Sequence, residues 1–409
     1  MERAVKSLIK EVETPFYLFD ESGFIGNYKR LESLFQSLYP NYHISYSYKT
    51  NYTPYICNLV KKLGGYAEVV SDMEYELAKK LGYSNNKIVY NGPSKGPMMF
   101  EHLENGGILN IDSFDETQRI VKYCHSHPDK NYTCGLRINL KLSSDFISRF
   151  GMVDESDELK STIQLINDTP NLYLVGLHCH ISRCRSKEAW AKRSEIMIKM
   201  ADKYIPGIPA YISLGSGMFA DMPDFLKEQF GGSTVPTYED YAACAIKPFM
   251  DRYGDCKHKP ILFTEPGTTL IARYLSFITR VLSIRSIRGR HVANMDGSYH
   301  NLGEISTLKK LPVKVLSNGN KQVAYENLDI MGYTCLEQDL MFHDFKDSLA
   351  VDDILIFENV GGYSIVEKPQ FIKPQCAMYV LNPNNEIKLI MRAEKFEDVF
   401  GKFIFEDNN

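Results

Sequence analysis

Eight short apolar runs, each closed by a polar or glycine-rich turn, constrain this chain more than any other feature. They fall at residues 43–48, 66–70, 87–90, 107–111, 134–139, 172–180, 210–214 and 260–264. Between most of them lie segments of helical character, such as 53–63, 72–81, 114–125, 159–167 and 187–204. Strands alternating with helices predict a parallel sheet, and eight such units close a (β/α)8 TIM-type barrel. In that architecture chemistry gathers at the carboxyl ends of the strands.

The alternation stops near residue 275. Shorter β-rich runs follow at 277–284, 291–295, 313–315, 354–357, 377–381 and 387–391, which predicts a second, mostly antiparallel β-domain. A strand at 15–20 returns to it, so the expected division is a barrel over 21–274 and a β-domain made of 1–20 and 275–409. The tail, 405–409, is expected to fray.

Bulk composition narrows the function. With 47 basic and 51 acidic side chains and a formal charge of −4, the chain has no basic field for a polynucleotide. The amino terminus carries charges throughout and no apolar run approaches a membrane span, so a cytoplasmic protein is expected. Nine cysteines without a C-x-x-C pair argue against a disulfide framework and a structural zinc site.

The strand ends carry Lys49, Glu68, Asn91, Asp112, Arg137 with Asn139, His178 and His180, then Gly215-Ser216-Gly217 and Glu265-Pro266-Gly267. A barrel needs no such set of ionisable and glycine residues on one rim. A lysine at a strand end can trap a carbonyl, although most lysines are solvated surface charges. The glycines after the seventh strand let backbone N–H groups approach an anion, or form a plain turn. His178 and His180 share a face; with Cys184 they are candidate metal ligands, or core histidines, or, for His180, a flat ring beneath an aromatic cofactor. Glu265 either holds a proton on a heterocyclic nitrogen or pairs with Arg137. In the β-rich part, Cys335 and Tyr363 stand in glycine-bearing loops, where packing and turn roles are the plainer reading.

Taken in order, these residues resemble the fold-type III pyridoxal-phosphate decarboxylases, the group that acts on ornithine, arginine, diaminopimelate and carboxynorspermidine. Tyr46-Ser47-Tyr48-Lys49-Thr50-Asn51 is similar to the Y-x-x-K-x-N around the family's cofactor-linking lysine, and Gly176-Leu177-His178-Cys179-His180-Ile181 to its G-L-H-x-H-I. The resemblance implies pyridoxal 5'-phosphate as cofactor, with Lys49, His180, Glu265 and Cys335 as catalytic residues. Glu68, Arg137, Arg183, Gly215, Ser216, Gly217, Gly267, Thr268 and Tyr363 are then expected to bind the cofactor. It further implies a homodimer with shared active sites, in which Cys335 reaches the partner's site, and an amino acid substrate.

Departures from the family pattern bear on that substrate. Thr268 stands where an arginine often contacts phosphate, leaving Arg183 or Arg273 as replacements. Leu336 replaces the acidic residue that meets a distal amine, and Glu304-Ile305-Ser306-Thr307-Leu308 replaces the segment that holds the distal carboxylate of diaminopimelate. Glu304 and Asp339 are the candidate substrate contacts. The expected reaction is α-decarboxylation of a diamino acid or a modified polyamine or secondary-metabolite precursor, with a racemase, another α-carbon lyase or a non-catalytic binding homologue as alternatives.

Overall fold

The computed structural model describes residues 1–142 and 147–406. Of the tail expected to fray, 407–409 lie outside the described residues. The chain divides into two compact units, one of Tyr28–Phe219 and Ser233–Thr269, the other of Met1–Asn27, Ala220–Gly232 and Leu270–Asn409. The expected boundaries at 20 and 274 differ from these by a few residues. The segment 220–232 belongs with the β-rich unit for a specific reason: Gln229 exchanges hydrogen bonds with Lys310, and Asp221 pairs with Arg273 at 2.8 Å.

The first unit is a closed parallel barrel. Its strands are β1 (Tyr42–Ser47), β2 (Tyr66–Val69), β3 (Ile88–Tyr90), β4 (Ile108–Ile111), β5 (Tyr132–Asn139), β6 (Leu172–His178), β7 (Tyr211–Ser213) and β8 (Ile261–Thr264). Each pairs in parallel with the next, and β8 returns to β1. Register decides which rim residues become neighbours. Ser47 lies opposite Glu68, Arg137 opposite His178, and His178 opposite Ser213.

The barrel helices start where the sequence provides hydroxyl caps. Ser71, Ser113, Ser156, Ser186 and Thr237 each accept a backbone N–H from the first turn of the helix that follows. In two units the cap is doubled: Glu74 reaches back to the Val70 N–H and Glu116 to the Asp112 N–H, both at 2.8 Å. The strand-to-helix turn is thereby fixed beside the rim.

Within the barrel, Tyr66, Val89, Tyr211 and Phe263 form a buried cluster, with the Tyr66 and Phe263 rings edge to face at 4.8 Å. Tyr211 crosses the interior close to Gly135 and Gly176, where a Cβ would sit 2.0 and 2.3 Å from its ring or hydroxyl. Only glycine leaves room for the tyrosine on β5 and β6.

In the second unit a sheet runs in the order Leu340–Phe345, Leu328–Met331, Arg290–Met295, Leu275–Ile287, Phe16–Asp20, Ala377–Leu381, Ile387–Met391. Ile354–Phe357 pairs with Leu275–Ile287 and with Val313–Leu316. Pairing is mostly antiparallel. The exceptions in this sheet are Phe16–Asp20 beside Ala377–Leu381 and Arg290–Met295 beside Leu328–Met331. A helix at Glu2–Leu8, not legible in a run of seven residues rich in charge, inserts Val5 and Leu8 into the core with Phe16, Leu18, Ile278 and Ile356. Among the described residues no helix is long and apolar enough to cross a membrane.

Phe263 closes the aromatic cluster under the rim. Truncation by Phe263→Ala is expected to cost about 3–5 kcal/mol, read as a lower urea midpoint with an unchanged slope.

Candidate active site

The carboxyl ends of the strands converge on two buried carboxylates. Glu68, at the end of β2, accepts the Ser47 hydroxyl at 2.5 Å and the Lys49 ammonium at 2.8 and 3.0 Å. Glu265, just beyond β8, accepts the Ser213 hydroxyl at 2.8 Å on Oε1, and its Oε2 lies 2.9 Å from His178 Nε2. Asn91 joins them. Its Nδ2 donates to Glu68 Oε1 and to Glu265 Oε1, each at 3.1 Å.

A relay continues below. Asn91 Oδ1 accepts from Asn110 Nδ2 at 2.8 Å, and Asn110 Oδ1 accepts the Tyr211 hydroxyl at 2.8 Å. Tyr211 is the residue for which Gly135 and Gly176 make room, so packing inside the barrel fixes the polar chain at its mouth. Each buried carboxylate oxygen needs donors of this kind, because an unsatisfied one costs about 1–3 kcal/mol.

The electrostatics follow. Burial would raise the Glu265 carboxyl, but His178, Lys49 and the Ser213 hydrogen bond together hold it below the usual carboxylate range. It stays ionised. His180 is driven the other way: burial first, then the Lys49 and Arg137 charges, place its imidazole well below its ordinary value. His180 is therefore neutral, and its Nδ1 accepts the Ser216 N–H at 3.3 Å, which leaves the proton on Nε2.

Lys49 sits in a short turn, Tyr48–Thr50, at the end of β1. The Glu265-Pro266-Gly267 turn presses against it so closely that a Cβ added at Gly267 would lie 1.9 Å from Thr50 Oγ1. Gly215 has φ +62, and a Cβ there would lie 2.4 Å from the Cys179 carbonyl. That backbone position excludes a side chain.

Two sequence expectations change partners here. Arg137 does not pair with Glu265; its Nη1 reaches Asp112 at 3.2 Å, and its guanidinium lies 4.7 Å from the centre of the Phe150 ring. His178 and His180 diverge to Glu265 and Ser216 instead of converging with Cys184. Arg183 is exposed at φ +68, Arg273 is tied to Asp221 in the β-rich unit, and Thr268 opens the short helix Thr268–Ile271 with its side chain exposed.

In the β-rich unit, Cys335 is exposed and Tyr363 is half-buried at φ +61. Asp339 is buried and takes the Ser298 hydroxyl and the Tyr299 and Thr334 N–H groups at 2.9–3.0 Å, bracing the loop before Cys335. Glu304 is exposed; burial, with the Glu304 charge adding to it, raises the carboxyl of Glu367.

Sequence reasoning passed over His178 and Ser213 as partners of Glu265, and Asn110 as the partner of Asn91. It also passed over Arg193, a fully buried arginine on the helix Lys187–Tyr204. Its signal was an arginine in the apolar stripe of Trp190, Met197 and Ala201.

A part-buried lysine, a neutral imidazole, a glycine cradle and a buried ionised carboxylate fit a flat, phosphorylated aldehyde cofactor. Fold and site define a barrel enzyme of the pyridoxal-phosphate type. Residues 26–272, more than half of the chain, match the family described as pyridoxal-dependent decarboxylase, pyridoxal binding domain, and the chain belongs to it. It is a carboxy-lyase acting on an amino acid, with pyridoxal phosphate as cofactor.

Its relatives include a diaminopimelate decarboxylase of Archaeoglobus fulgidus, 23% identical over 97% of this chain and 94% of that protein. Another is the L-glutamyl-[BtrI acyl-carrier protein] decarboxylase of Niallia circulans, 23% identical over 99% of this chain and 97% of that one. Among solved structures, diaminopimelate decarboxylase from M. jannaschii superposes with a TM-score of 0.86 at 22% identity, covering 98% of this chain and 94% of that one. The lysine decarboxylase of Selenomonas ruminantium gives 0.74 at 20% identity, covering 90% and 93%.

Glu74 gives the site a pH signature. Burial and the nearby Glu68 carboxylate push it up to about 7, against the Val70 N–H and Lys49, which lower it. The folded value lies above the unfolded one, so its stabilisation is full below about 4.5 and lost as pH rises through about 7. Glu74→Gln keeps an acceptor for Val70. Its stability relative to the parent is expected to improve between about pH 5 and 8, read as urea midpoints; a difference that ignores pH removes Glu74 as the titrating group.

Proposed function

We propose that this enzyme decarboxylates a diamino acid, or a modified polyamine or secondary-metabolite precursor, in preference to diaminopimelate. The observation that carries this reading is Glu304, an exposed carboxylate in the stretch that departs from the diaminopimelate pattern, whose charge adds to burial in raising the Glu367 carboxyl. Glu304 opens the segment Glu304-Ile305-Ser306-Thr307-Leu308, which replaces the distal-carboxylate contact of diaminopimelate decarboxylases. A carboxylate at that contact would favour a cationic distal group and oppose an anionic one. The Niallia relative, whose name specifies a carrier-bound glutamyl group, supports a substrate with a modified distal end. Asp339, held by three donors, is the weaker candidate for that contact.

Pyridoxal phosphate, when bound, supplies an electron sink for the pair left as CO2 departs. The chain's own residues provide the rest. Lys49 Nζ is the covalent attachment point, and Glu68, 2.8 Å away, can take the proton that the amine must lose to become a nucleophile. Glu265, kept ionised, would hold a proton on the ring nitrogen, and neutral His180 would support the ring without adding charge. Gly215, Ser216, Gly217, Gly267 and Tyr363 anchor phosphate in this reading, with Arg137 on the adjoining rim. In a homodimer, Cys335 of the partner subunit would supply the proton that replaces CO2, and its thiol is exposed as that role requires.

Visible absorbance of the purified protein should show the band of lysine-bound cofactor, absent in Lys49→Ala. CO2 release should have a higher kcat/KM for cationic diamino acids than for meso-diaminopimelate, and Glu304→Gln should lower the former about tenfold. Diaminopimelate as the best substrate would sink the substrate assignment. Mixing Lys49→Ala with Cys335→Ala subunits should restore about a quarter of parent activity, since half the dimers are mixed and hold one intact site. No recovery would place Cys335 outside a shared site.

A further inference from the structure

Arg193 is fully buried, yet among the described residues it has no carboxylate partner. Its Nη1 donates to the carbonyls of Leu214 and Ser216 at 2.8 and 2.9 Å, and its Nη2 to that of Ile181 at 3.4 Å. Nε has no acceptor, and the guanidinium lies 4.5 Å from the centre of the Trp190 ring. Burial lowers its pKa. An interior cation compensated by carbonyl dipoles alone is expensive to hold, and a nearby anion would relieve it.

Its position indicates which anion. Leu214 and Ser216 flank Gly215 in the Gly215-Ser216-Gly217 turn. In a trans peptide the carbonyl and the following N–H point to opposite sides, so fixing the Ser216 carbonyl on Arg193 turns the Gly217 N–H away from it. That N–H makes no hydrogen bond among the described residues, whereas the Gly215 N–H goes to Ser213 Oγ and the Ser216 N–H to His180 Nδ1. The arginine thus shapes the turn from behind and leaves one donor facing forward.

We propose that Arg193 is the positioning residue of the phosphate site: it sets the glycine turn and supplies, through it, the positive charge that a cofactor phosphate dianion requires. This rests on the reading of that turn as the phosphate cradle. Arg193 lies behind the turn, so its role is distinct from that of a residue touching the cofactor. The test is cofactor affinity measured twice on protein stripped of cofactor, with pyridoxal phosphate and with pyridoxal, which lacks the phosphate.

Arg193→Gln is expected to weaken pyridoxal phosphate binding roughly 30-fold or more while changing pyridoxal binding less than about threefold. Arg193→Lys keeps the charge but not the fork, and should lose roughly fivefold to tenfold for the phosphorylated form alone. A purely structural role would move both affinities together, and parallel losses or none overturn the proposal. If the glutamine variant does not fold, the lysine variant decides by the same criterion. If the parent itself binds the two forms equally well, the cradle reading fails, which is distinct from failure of Arg193 alone.

Discussion

Two carboxylates held within reach of a single asparagine are the constraint on which the rest of the site depends. Glu68 and Glu265 would repel each other in the barrel mouth, and each is costly to bury. Asn91 donates to both, and Ser47, Lys49, Ser213 and His178 occupy the remaining positions. The arrangement is possible because parallel register sets Ser47 beside Glu68 and His178 beside Ser213. A shift of one residue in any of these strands would turn donors away from acceptors and leave buried charge unpaired.

The polar mouth and the aromatic interior are one mechanical unit. Tyr211 packs with Phe263 and Tyr66 while its hydroxyl ends the relay through Asn110 to Asn91. Two glycines on neighbouring strands make that crossing possible. On the other side of the mouth the logic reverses: His180 is kept neutral, the glycine turn leaves the Gly217 N–H without a partner among the described residues, and Arg193 stands behind it as a cation without a carboxylate. The mouth is therefore polarised, with two buried carboxylates on one side and a buried cation on the other.

The β-rich unit spends its buried charge differently. Asp339 holds three donors and shapes the loop that carries Cys335, whereas Glu304 stays exposed beside Glu367. A carboxylate saturated by its own loop positions other residues.

Local chemistry made much of this readable in the sequence alone. Strand and helix periodicity marked all eight barrel strands within a few residues, and the rim residues Lys49, Glu68, Asn91, Arg137, His178 and Glu265 followed because a strand's last residue faces the mouth. The short amino-terminal helix was not readable, since seven residues hold too few apolar positions to show a period. Partner choice was not readable either. That Glu265 meets His178 and not Arg137, that Asn91 bridges two acids, and that Arg193 lies under the glycine turn are set by barrel closure and register. Those relations join residues up to 174 positions apart in the chain, as Asn91 and Glu265 are, and no local pattern encodes them. The sequence by itself determined which groups stand at the rim; tertiary structure decided which of them share protons, because hydrogen bonding depends on ångström-scale approach that only the closed barrel imposes.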